Sequence, residues 1–385
     1  MRILHVAASY LPAVRYGGTI VSVHGLCRAL AARGHDVHVF TTSVDGAVDS
    51  DVPLLRPVEL DGVQVWYFPS KVLRRLYWSP RMAGALAGQI GTFDIAHLHA
   101  LFVWPVWAAA KAARRAGVPY VVAPRGMLEK ALIKKKSRVT KTLLIAAVGR
   151  RTLEQAAAIH VTSARERAEA AAFGFALPPL YEVPNGVDLV PTPVASVGLS
   201  PAVAALCEGP PFLLFIGRIS WKKGLDRLIA ALPHVPGVRL VIAGPDEEGY
   251  RTTLEARAAA AGVGGRLVFC GPVPGAGKAA LLNCAQALVL PSYSENFGNV
   301  VLEAMAAACP VVVTPEVGIA DLVRDSGAGW VIDGAPKTLG AGLSALVADS
   351  QLRRTMGERG RATAQHYGWA AVAERMERVY QEIVA

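Results

Sequence analysis

The chain has 385 residues, enough for two domains at roughly 150 residues each, and 52% of them are hydrophobic while 18% are charged. This composition is typical of packed globular domains and excludes an intrinsically disordered chain. No run reaches the ~18 uncharged apolar residues of a membrane-spanning helix. The formal net charge is +10, and the whole excess precedes residue 190, where 23 Lys and Arg stand against 13 Asp and Glu. This asymmetry indicates an anionic partner for the N-terminal half alone.

The first residues predict a parallel α/β domain. Met1 to Leu11 alternates as a strand and lacks the cleavage site of a secretory signal. A loop with Gly17 and Gly18 follows, and then apolar residues at helical spacing from Thr19 to Arg33, with Gly34 as the C-terminal cap. A strand, a glycine loop, a helix and a second strand make a βαβ unit, which implies a parallel sheet. Later strands are expected at Val37–Phe40, Val63–Phe68, Ile95–His99, Tyr120–Ala123 and Ala158–Thr162.

A second α/β series follows a domain boundary. The pattern pauses at Gly186, and a Pro-rich stretch of low charge runs from Val187 to Pro211. Continuous Val, Ile and Leu runs then predict a second parallel sheet with helices on both faces. Its strands are expected at 212–216, 240–243, 267–269, 287–290 and 311–314. We predict two doubly wound domains in tandem, 1–186 and 187–368, with ligands in the cleft between them. The amphipathic stretch 369–385 could pack back on the first domain.

The segment from Pro291 to Ala306 is the most informative about function, because it follows a buried strand and opens a helix. Backbone N–H groups near Gly298 and Asn299 are unsatisfied at the helix start and can bind an oxyanion or a sugar hydroxyl. An interaction with the helix dipole, worth ~0.3–1 kcal/mol, is enough to explain Glu295. Glu303 lies about two helical turns later among apolar residues. There an unpaired carboxylate would be costly, and a hydroxyl-rich ligand would satisfy it.

Glu295 and Glu303, with Phe297 and Gly298 between them, resemble the acidic signature of family 4 retaining glycosyltransferases, which have the GT-B fold of two Rossmann-like domains. Further matches to that family follow in the expected order along almost the whole chain, at Gly17-Gly18, Gly34–Val37, Val183–Asp188, Gly217-Arg218 and Lys223-Gly224. The resemblance implies a hexosyltransferase that uses a UDP- or GDP-linked sugar and retains the anomeric configuration.

The resemblance also assigns roles to residues. It implies that Glu303 holds the ribose hydroxyls and that Glu295 holds the transferred sugar. His99 would approach that sugar from the facing domain as a second catalytic residue. The resemblance further implies a diphosphate clamp, and backbone contacts to the sugar and phosphate, formed by Arg218, Lys223, Phe297, Gly298, Asn299 and Val300.

The loops at strand ends support parts of this assignment on physical grounds. Arg218 and Lys223 follow the first strand of the second domain, where a planar fork and a point charge can stabilise a departing diphosphate. Gly17 and Gly18 allow the backbone to approach a phosphate or sugar, although an ordinary flexible turn explains them too. His97 and His99 share a strand face, and one of them could be structural. No Gly-x-Gly-x-x-Gly follows the first strand, so a nicotinamide cofactor is not expected.

The stretch Arg125–Arg151 holds nine basic residues and the single acid Glu129, with apolar residues interleaved. This composition favours a helix at an anionic membrane surface, while a solvated basic face is the simpler alternative. Its first five residues resemble bacterial polysaccharide-assembly members of the family, whose acceptors are often lipid-linked. Nucleic acid is not expected, because aromatic residues and binding motifs are missing.

The cysteines and the missing metal motifs bear on the compartment and the cofactors of the protein. Five cysteines without metal-ligand spacing indicate reduced thiols in a cytoplasmic protein, with peripheral attachment to the inner membrane face as an option. No cofactor and no obligate metal are expected, since the acidic metal motifs of the other major glycosyltransferase fold are missing. One departure is Cys309 before Pro310, where the family usually has glycine. The alternatives are a nucleotide-sugar epimerase of the same fold and a non-catalytic membrane scaffold.

Overall fold

The computed structural model describes residues 1–13, 17–128, 148–189, 199–246 and 249–385. The chain divides into two compact units, one formed by residues 1–186 with 369–385 and the other by residues 187–368. Residues 129–147 of the basic stretch lie outside the described residues, so its membrane role stays a prediction. None of the helices in the described ranges combines the length and apolar character needed to cross a bilayer.

The first unit is built on one large, almost entirely parallel sheet. Its strand order is β10-β9-β8-β7-β1-β2-β6-β5, and β3 pairs with β4 in a separate hairpin. Only β5 is antiparallel to its neighbour in the large sheet. The strands are β1 (Arg2–Val6), β2 (Asp36–Thr42), β3 (Val44–Asp45), β4 (Val48–Asp49), β5 (Pro57–Leu60), β6 (Val63–Phe68), β7 (Ile95–His99), β8 (Tyr120–Ala123), β9 (Ala158–Val161) and β10 (Leu180–Glu182).

Both faces of this sheet are buried. Ile3 and Leu4 are adjacent in β1, point to opposite faces, and are both fully buried in separate apolar clusters. This burial explains why adjacent residues of β1 are both apolar. The helices described in this part of the chain are α1 (Gly18–Ala32), α2 (Pro80–Gln89), α3 (Trp104–Ala116), α4 (Arg150–Glu154) and α5 (Ala164–Ala171).

The second unit is a six-stranded sheet in which every pairing is parallel, in the order β13-β12-β11-β14-β15-β16. One apolar cluster fills its interior. Its strands are β11 (Phe212–Ile216), β12 (Arg239–Ala243), β13 (Leu267–Gly271), β14 (Ala287–Leu290), β15 (Val311–Val313) and β16 (Gly329–Val331). Its described helices are α6 (Pro201–Glu208), α7 (Leu225–Ala231), α8 (Tyr250–Ala260), α9 (Gly275–Cys284), α10 (Asn299–Ala306), α11 (Ala320–Ser326), α12 (Pro336–Ala348) and α13 (Ser350–Ala364).

The last helix, α14 (Trp369–Val384), belongs to the first unit, where it packs against α1. The Trp369 ring lies so close to Gly25 of α1 and to Gly186 that a side chain at either glycine would collide with it. At the other end of α14, the buried Tyr380 hydroxyl lies 2.6 Å from His97 Nδ1. The C-terminal helix therefore completes the core of the N-terminal sheet.

The prediction of tandem doubly wound α/β domains is confirmed, with five strands that were not predicted: the two-residue β3 and β4, and the strands β5, β10 and β16. β5 forms a hairpin with β6 through Asp61 and Gly62, whose φ angles are 50° and 80°. Asp-Gly is a strong sequence signal for such a two-residue turn, so this antiparallel edge could have been predicted. The edge strands β10 and β16 have three residues each, which is too short for a clear apolar pattern.

Candidate functional site

The second unit brings two of the predicted site residues together at the point where its strand order reverses. Ligands of doubly wound sheets bind beyond the carboxyl ends of the strands at such a reversal. Here β11 and β14 are neighbours on the two sides of the reversal, and Lys223 follows β11 while Glu295 follows β14. The Lys223 ammonium contacts the Glu295 carboxylate as an ion pair, and each side chain is 19% exposed. The pair is thus mostly shielded but still accessible to a ligand.

Two loops are packed together to make this ion pair. Gly224 has a φ of 65°, and a Cβ on it would collide with the carbonyl oxygen of Pro291 in the loop after β14. The N–H of Tyr293 also donates to the carbonyl oxygen of Lys222 over 2.8 Å. Since no side chain fits between the loops, glycine is required at position 224. Arg218 lies exposed in the same loop after β11.

Glu295 is held by the backbone of a neighbouring loop. Its N–H donates to the Glu316 carbonyl oxygen over 3.1 Å, and its own carbonyl oxygen accepts from the Gly318 N–H over 2.9 Å. Phe297 next to it is 3% exposed and anchors the loop in the core. Because Glu295 lies in this loop and not in the helix, the helical spacing used above to relate it to Glu303 is wrong.

The helix start after this loop has the geometry expected from the sequence. Gly298 has a φ of 99° and occupies the N-cap of α10, which begins at Asn299. Gly298 has no side chain with which to cap this end of the helix. Asn299 and Val300 are partly exposed, so their backbone lies near the surface at the positive end of the helix dipole. This arrangement suits an oxyanion or a hydroxyl group.

Glu303 is neither fully buried nor unpaired, which corrects the sequence argument. Its side chain is 25% exposed, and its Oε1 lies 2.9 Å from Nζ of Lys278 in α9. The apolar neighbours of Glu303 in the sequence occupy the buried face of α10, whereas Glu303 projects toward α9. The need for a ligand therefore does not follow from its burial, and its assignment rests on the family resemblance.

In the first unit, predicted residues again lie where the strand order reverses, around β1 and its neighbour β7. Gly17 has a φ of 81° at the start of α1, in the loop after β1, and Gly18 is the first residue of that helix. Residues 14–16 of the loop are not described. His99 ends β7 and is only 2% exposed. His97 lies on the same strand face, with ring centroids 4.3 Å apart, as the alternation predicted.

The buried imidazoles form two chains whose protons can be placed from their partners. His160 Nε2 lies 2.8 Å from the carbonyl oxygen of Val183, which only accepts, so the proton is on His160 Nε2. His160 Nδ1 then accepts from His97 Nε2 over 3.2 Å, and His97 Nδ1 accepts from the Tyr380 hydroxyl. This chain is satisfied at each of these contacts and connects β7, β9 and α14.

The second chain begins at Arg125. Its guanidinium, which only donates, lies 3.3 Å from Nδ1 of His99. His99 must therefore carry its proton on Nε2, which donates to His5 Nδ1 over 2.9 Å. His5 is left with a proton on Nε2, a buried atom without a hydrogen-bond partner among the described residues. Both nitrogens of His99 are thus engaged, which leaves its predicted contact with a sugar a prediction.

All four histidines are held neutral. Burial, with the Arg125 charge acting in the same direction, lowers the pKa of His5 to about 3 and that of His160 to about 3. Burial also holds the pKa of His97 and of His99 well below the ordinary value. A proton added to any ring would lie out of water and close to a fixed cation, so neutral rings are favoured.

Three of these rings could hold a metal ion by distance alone. One nitrogen from each of His5, His97 and His99 lies within 4.8 Å of the others. However, His5 and His99 share a hydrogen bond through the nitrogens that face each other, and the guanidinium adjoins His99. A cation would have to displace that proton and tolerate a positive neighbour. The donor chemistry does not fit a metal ion, and the expectation of no obligate metal stays a prediction.

Sequence reasoning did not identify Arg125 and His5 as site residues. Arg125 was assigned to a membrane-facing stretch, but its described side chain enters the histidine cluster and bonds Asn185 Oδ1 over 2.8 Å. Its position directly after the apolar strand β8, between Pro124 and Gly126, is a sequence signal that could have found it. His5 carries no such signal, because a histidine within a strand gives no indication of its partners.

Comparison with known proteins agrees with this architecture. The model of "Glycosyltransferase Family 4" matches residues 16–190, and that of "Glycosyl transferases group 1" matches residues 200–363. A D-inositol 3-phosphate glycosyltransferase from Xylanimonas cellulosilytica is 30% identical, and the match covers 95% of this chain and 92% of that protein. The chain therefore belongs to the family 4, group 1 glycosyltransferases.

Solved structures show the same fold. Sucrose-phosphate synthase from Thermosynechococcus elongatus superimposes with a TM-score of 0.79 at 21% identity, over 99% of this chain and 98% of that one. HepE from Anabaena, solved with UDP and glucose, gives a TM-score of 0.76 at 19% identity, over 99% and 100% of the two chains. These likenesses establish the GT-B fold of the enzyme.

Proposed function

We propose that this glycosyltransferase moves a hexosyl group from a nucleotide diphosphate sugar to a sugar or lipid-linked acceptor, with retention of anomeric configuration. The observation that carries the proposal is the Lys223–Glu295 ion pair at the strand-order reversal of the second unit. It places a cation and a hydrogen-bond acceptor beside the start of α10. The cation and the helix start can bind a diphosphate, and the carboxylate can accept a hydrogen bond from a sugar hydroxyl.

In this proposal the donor changes the partners of Lys223. The lysine, with Arg218 from the same loop, turns from Glu295 to the diphosphate and stabilises the charge that develops on it. Glu295 is then free to accept hydrogen bonds from the transferred sugar. Phe297 to Val300 supply backbone N–H groups to the sugar and phosphate, and Glu303 accepts from the ribose hydroxyls. The HepE structure, which holds UDP and glucose, supports this type of ligand for the fold.

The transfer step exchanges one bond to the anomeric carbon for another. The bond from that carbon to the diphosphate oxygen breaks, and the nucleoside diphosphate leaves with the electron pair. The acceptor oxygen bonds to the same face of the carbon, and its proton passes to the leaving phosphate oxygen. We further propose that no divalent ion is required, so that transfer persists in excess EDTA.

The acceptor assignment rests on the family resemblance of Arg125 to Glu129, which favours bacterial surface polysaccharide or glycolipid assembly. In that setting the enzyme would work in the cytoplasm, at the inner face of the membrane. The named activity of the Xylanimonas relative shows that a protein 30% identical can use a small phosphorylated acceptor. We propose that residues of the first unit determine which acceptor is bound.

A thermal-shift panel of UDP-, GDP- and ADP-sugars tests the donor half of the proposal. A ligand that binds only the folded protein stabilises it by RT ln(1 + [L]/Kd), about 2.7 kcal/mol at a hundredfold excess over Kd. We expect one class of nucleotide to raise Tm in the parent protein and to lose that effect in Lys223→Ala. A panel without any shift would contradict the nucleotide-sugar donor. The anomeric proton coupling in the NMR spectrum of the product then reports whether configuration is retained.

A further inference from the structure

The guanidinium of Arg125 carries a positive charge at the edge of the first sheet where ligands bind, and it has few hydrogen-bond partners. It follows β8 in a left-handed conformation, with a φ of 55°. Its described hydrogen bonds go to two neutral acceptors, Asn185 Oδ1 at 2.8 Å and His99 Nδ1 at 3.3 Å. Its Nε–H is buried and has no partner among the described residues. A guanidinium has five N–H donors, so this one is only partly satisfied.

Glu166 is the carboxylate that stabilises the charge on Arg125 electrostatically, but its oxygens accept hydrogen bonds from other groups. Glu166 is 2% exposed, and its Oε1 accepts from the Gly126 N–H over 2.6 Å. Its Oε2 accepts from the N–H and the hydroxyl of Thr162, over 2.7 and 2.8 Å. Glu166 therefore balances part of the charge on Arg125 from a distance without taking up its N–H groups.

The surroundings of Arg125 offer further donors. The proton chain from Arg125 through His99 ends on His5 Nε2–H, a second buried donor without a partner among the described residues. Arg125 and His5 therefore place a positive charge and two buried donors without partners among the described residues in one cluster, where the histidine acceptors are already engaged. Leaving such groups unpaired costs free energy, and more for a charged group. The chemistry that satisfies them is an oxyanion.

The location of Arg125 points to a ligand and not to the protein interior. β7 and β8 are parallel neighbours, so His99 and Arg125 follow strands that end at one edge of the sheet. The loop with Gly17 lies at the same edge, after β1. Arg125 also remains partly exposed, although its Nε is buried. In a doubly wound domain this edge is where ligands bind.

We infer that Arg125, held in place by His99 and Asn185, binds an oxyanion carried by the acceptor, a phosphate or a carboxylate group. This inference rests on the proposed function, in which the second unit binds the donor and the first unit the acceptor. The guanidinium of Arg125 is oriented by two fixed acceptors, Asn185 Oδ1 and His99 Nδ1. His5 accepts from His99 and holds that ring in place, so both histidines are positioning residues. A planar fork binds a phosphate or carboxylate through two parallel hydrogen bonds, which lysine cannot do.

The experiment uses inorganic phosphate as the probe on full-length protein saturated with UDP, or with GDP if the donor panel selects it. Saturation with the nucleotide occupies the Lys223 site and leaves the first unit to be titrated by calorimetry. We expect one phosphate to bind per chain. Arg125→Gln should weaken that binding at least tenfold and leave the Kd of the nucleotide unchanged. Arg115→Gln, which removes an exposed arginine from α3, should bind phosphate as the parent does.

A second readout separates ligand binding from a structural role. In long-range ¹⁵N NMR spectra, phosphate should shift the ring nitrogens of His99 and His5 in the parent protein and not in Arg125→Gln. Arg125→Lys should recover only part of the affinity, because it keeps the charge and loses the fork. Cooperative thermal unfolding of the Gln and Lys variants near the Tm of the parent protein would show that both fold.

The other outcomes each have one meaning. If phosphate does not bind and Arg125→Gln weakens nucleotide binding, Arg125 serves the donor and the inference is overturned. If neither ligand responds to the substitution, Arg125 is structural and the inference fails as well. If the parent binds no nucleotide, the proposed donor fails on its own. The phosphate titration is then made on Lys223→Ala protein, which weakens the second unit as a competing anion site.

Discussion

At the scale of single residues, Lys223 has two different partners to serve. In the structure it neutralises Glu295, and during transfer we propose that it stabilises the leaving diphosphate. Lys223→Ala should therefore lower kcat/KM at least a hundredfold, equivalent to about 2.7 kcal/mol of transition-state stabilisation. Lys222→Ala, which removes the same charge one position earlier in the loop, should keep most of the activity. Equal losses in the two variants would show that only the total charge of the loop matters.

The ion pair between Glu303 and Lys278 allows function to be separated from stability. Both side chains are partly exposed, at 25% and 32%, so the pair contributes less than about 1 kcal/mol to folding. Glu303→Gln should thus leave the free energy of unfolding nearly unchanged. It should raise the KM for the donor about tenfold, since an amide is a weaker acceptor for ribose hydroxyls than a carboxylate.

The control for this prediction is Lys278→Met, which breaks the same ion pair and keeps the carboxylate. Its stability should match that of Glu303→Gln, and its KM for the donor should stay close to the parent value. Urea denaturation and initial-rate kinetics on the three proteins make the comparison. A KM that rises equally in both variants would assign the effect to the ion pair itself and remove Glu303 as a ribose ligand.

At the scale of loops and strands, the close packing of the loops after β11 and β14 gives a stability prediction. Gly224 and Gly237 both have left-handed φ angles, of 65° and 73°. A Cβ at Gly224 would collide with the Pro291 carbonyl oxygen, whereas one at Gly237 meets no atom within 4 Å. Alanine at either position incurs the left-handed cost of about 1–2 kcal/mol.

Only Gly224→Ala adds a collision with backbone, which has to move if the methyl group is to fit. We expect it to lower the free energy of unfolding by at least about 2 kcal/mol more than Gly237→Ala does. Because the displaced loop carries Lys223, transfer should also fall in Gly224→Ala and persist in Gly237→Ala. Urea denaturation checks the first difference, and the initial rate checks the second. Equal stability of the two variants would mean that the loops are not packed as described.

The strands show how much of the structure can be predicted from a single sequence. Apolar strands such as β8, β11 and β14 were predicted to the residue, because a strand buried on both faces has a continuous apolar pattern. The short β10 and β16 offer no such pattern, since their hydrogen bonds depend on a neighbour supplied by the fold. The same limit applies to side chains. Lys223 was placed correctly at a strand end, but its contact with Glu295 crosses 72 residues of chain.

At the scale of the whole molecule, the N-terminal unit depends on both ends of the chain. Tyr380 of the last helix completes the hydrogen-bond chain of His97 and His160, and Trp369 fills the space over Gly25. The sequence predicted that α14 could pack back on the first domain, but neither contact could be predicted, because an amphipathic pattern does not identify the partner residues. Residues separated by more than 280 positions therefore complete the buried histidine cluster.

The neutrality of this cluster predicts how the first unit responds to acid. The pKa of His5 and of His160 is about 3 in the folded state, against about 6.5 in an unfolded chain. A lowered folded pKa means that the unfolded chain takes up protons that the folded unit refuses. The stabilisation is therefore complete above pH 6.5, and it is lost as the pH falls from there toward 3.

Between pH 7 and pH 5, each such histidine should cost about 2 kcal/mol of unfolding free energy. For His5 and His160 together the loss is about 4 kcal/mol, a large part of the stability of an ordinary domain, on the order of 5–15 kcal/mol, and the pKa values of His97 and His99 are shifted in the same direction. We therefore expect the first unit to unfold cooperatively in mild acid.

Urea denaturation at several pH values, read by pulsed hydrogen exchange of peptides from β1 and β7, follows this unit separately. His160→Gln should reduce the slope of stability against pH by about 1.4 kcal/mol per pH unit, because it removes one group that takes up a proton on unfolding. A slope that His160→Gln does not alter would show that His160 is protonated in the folded protein.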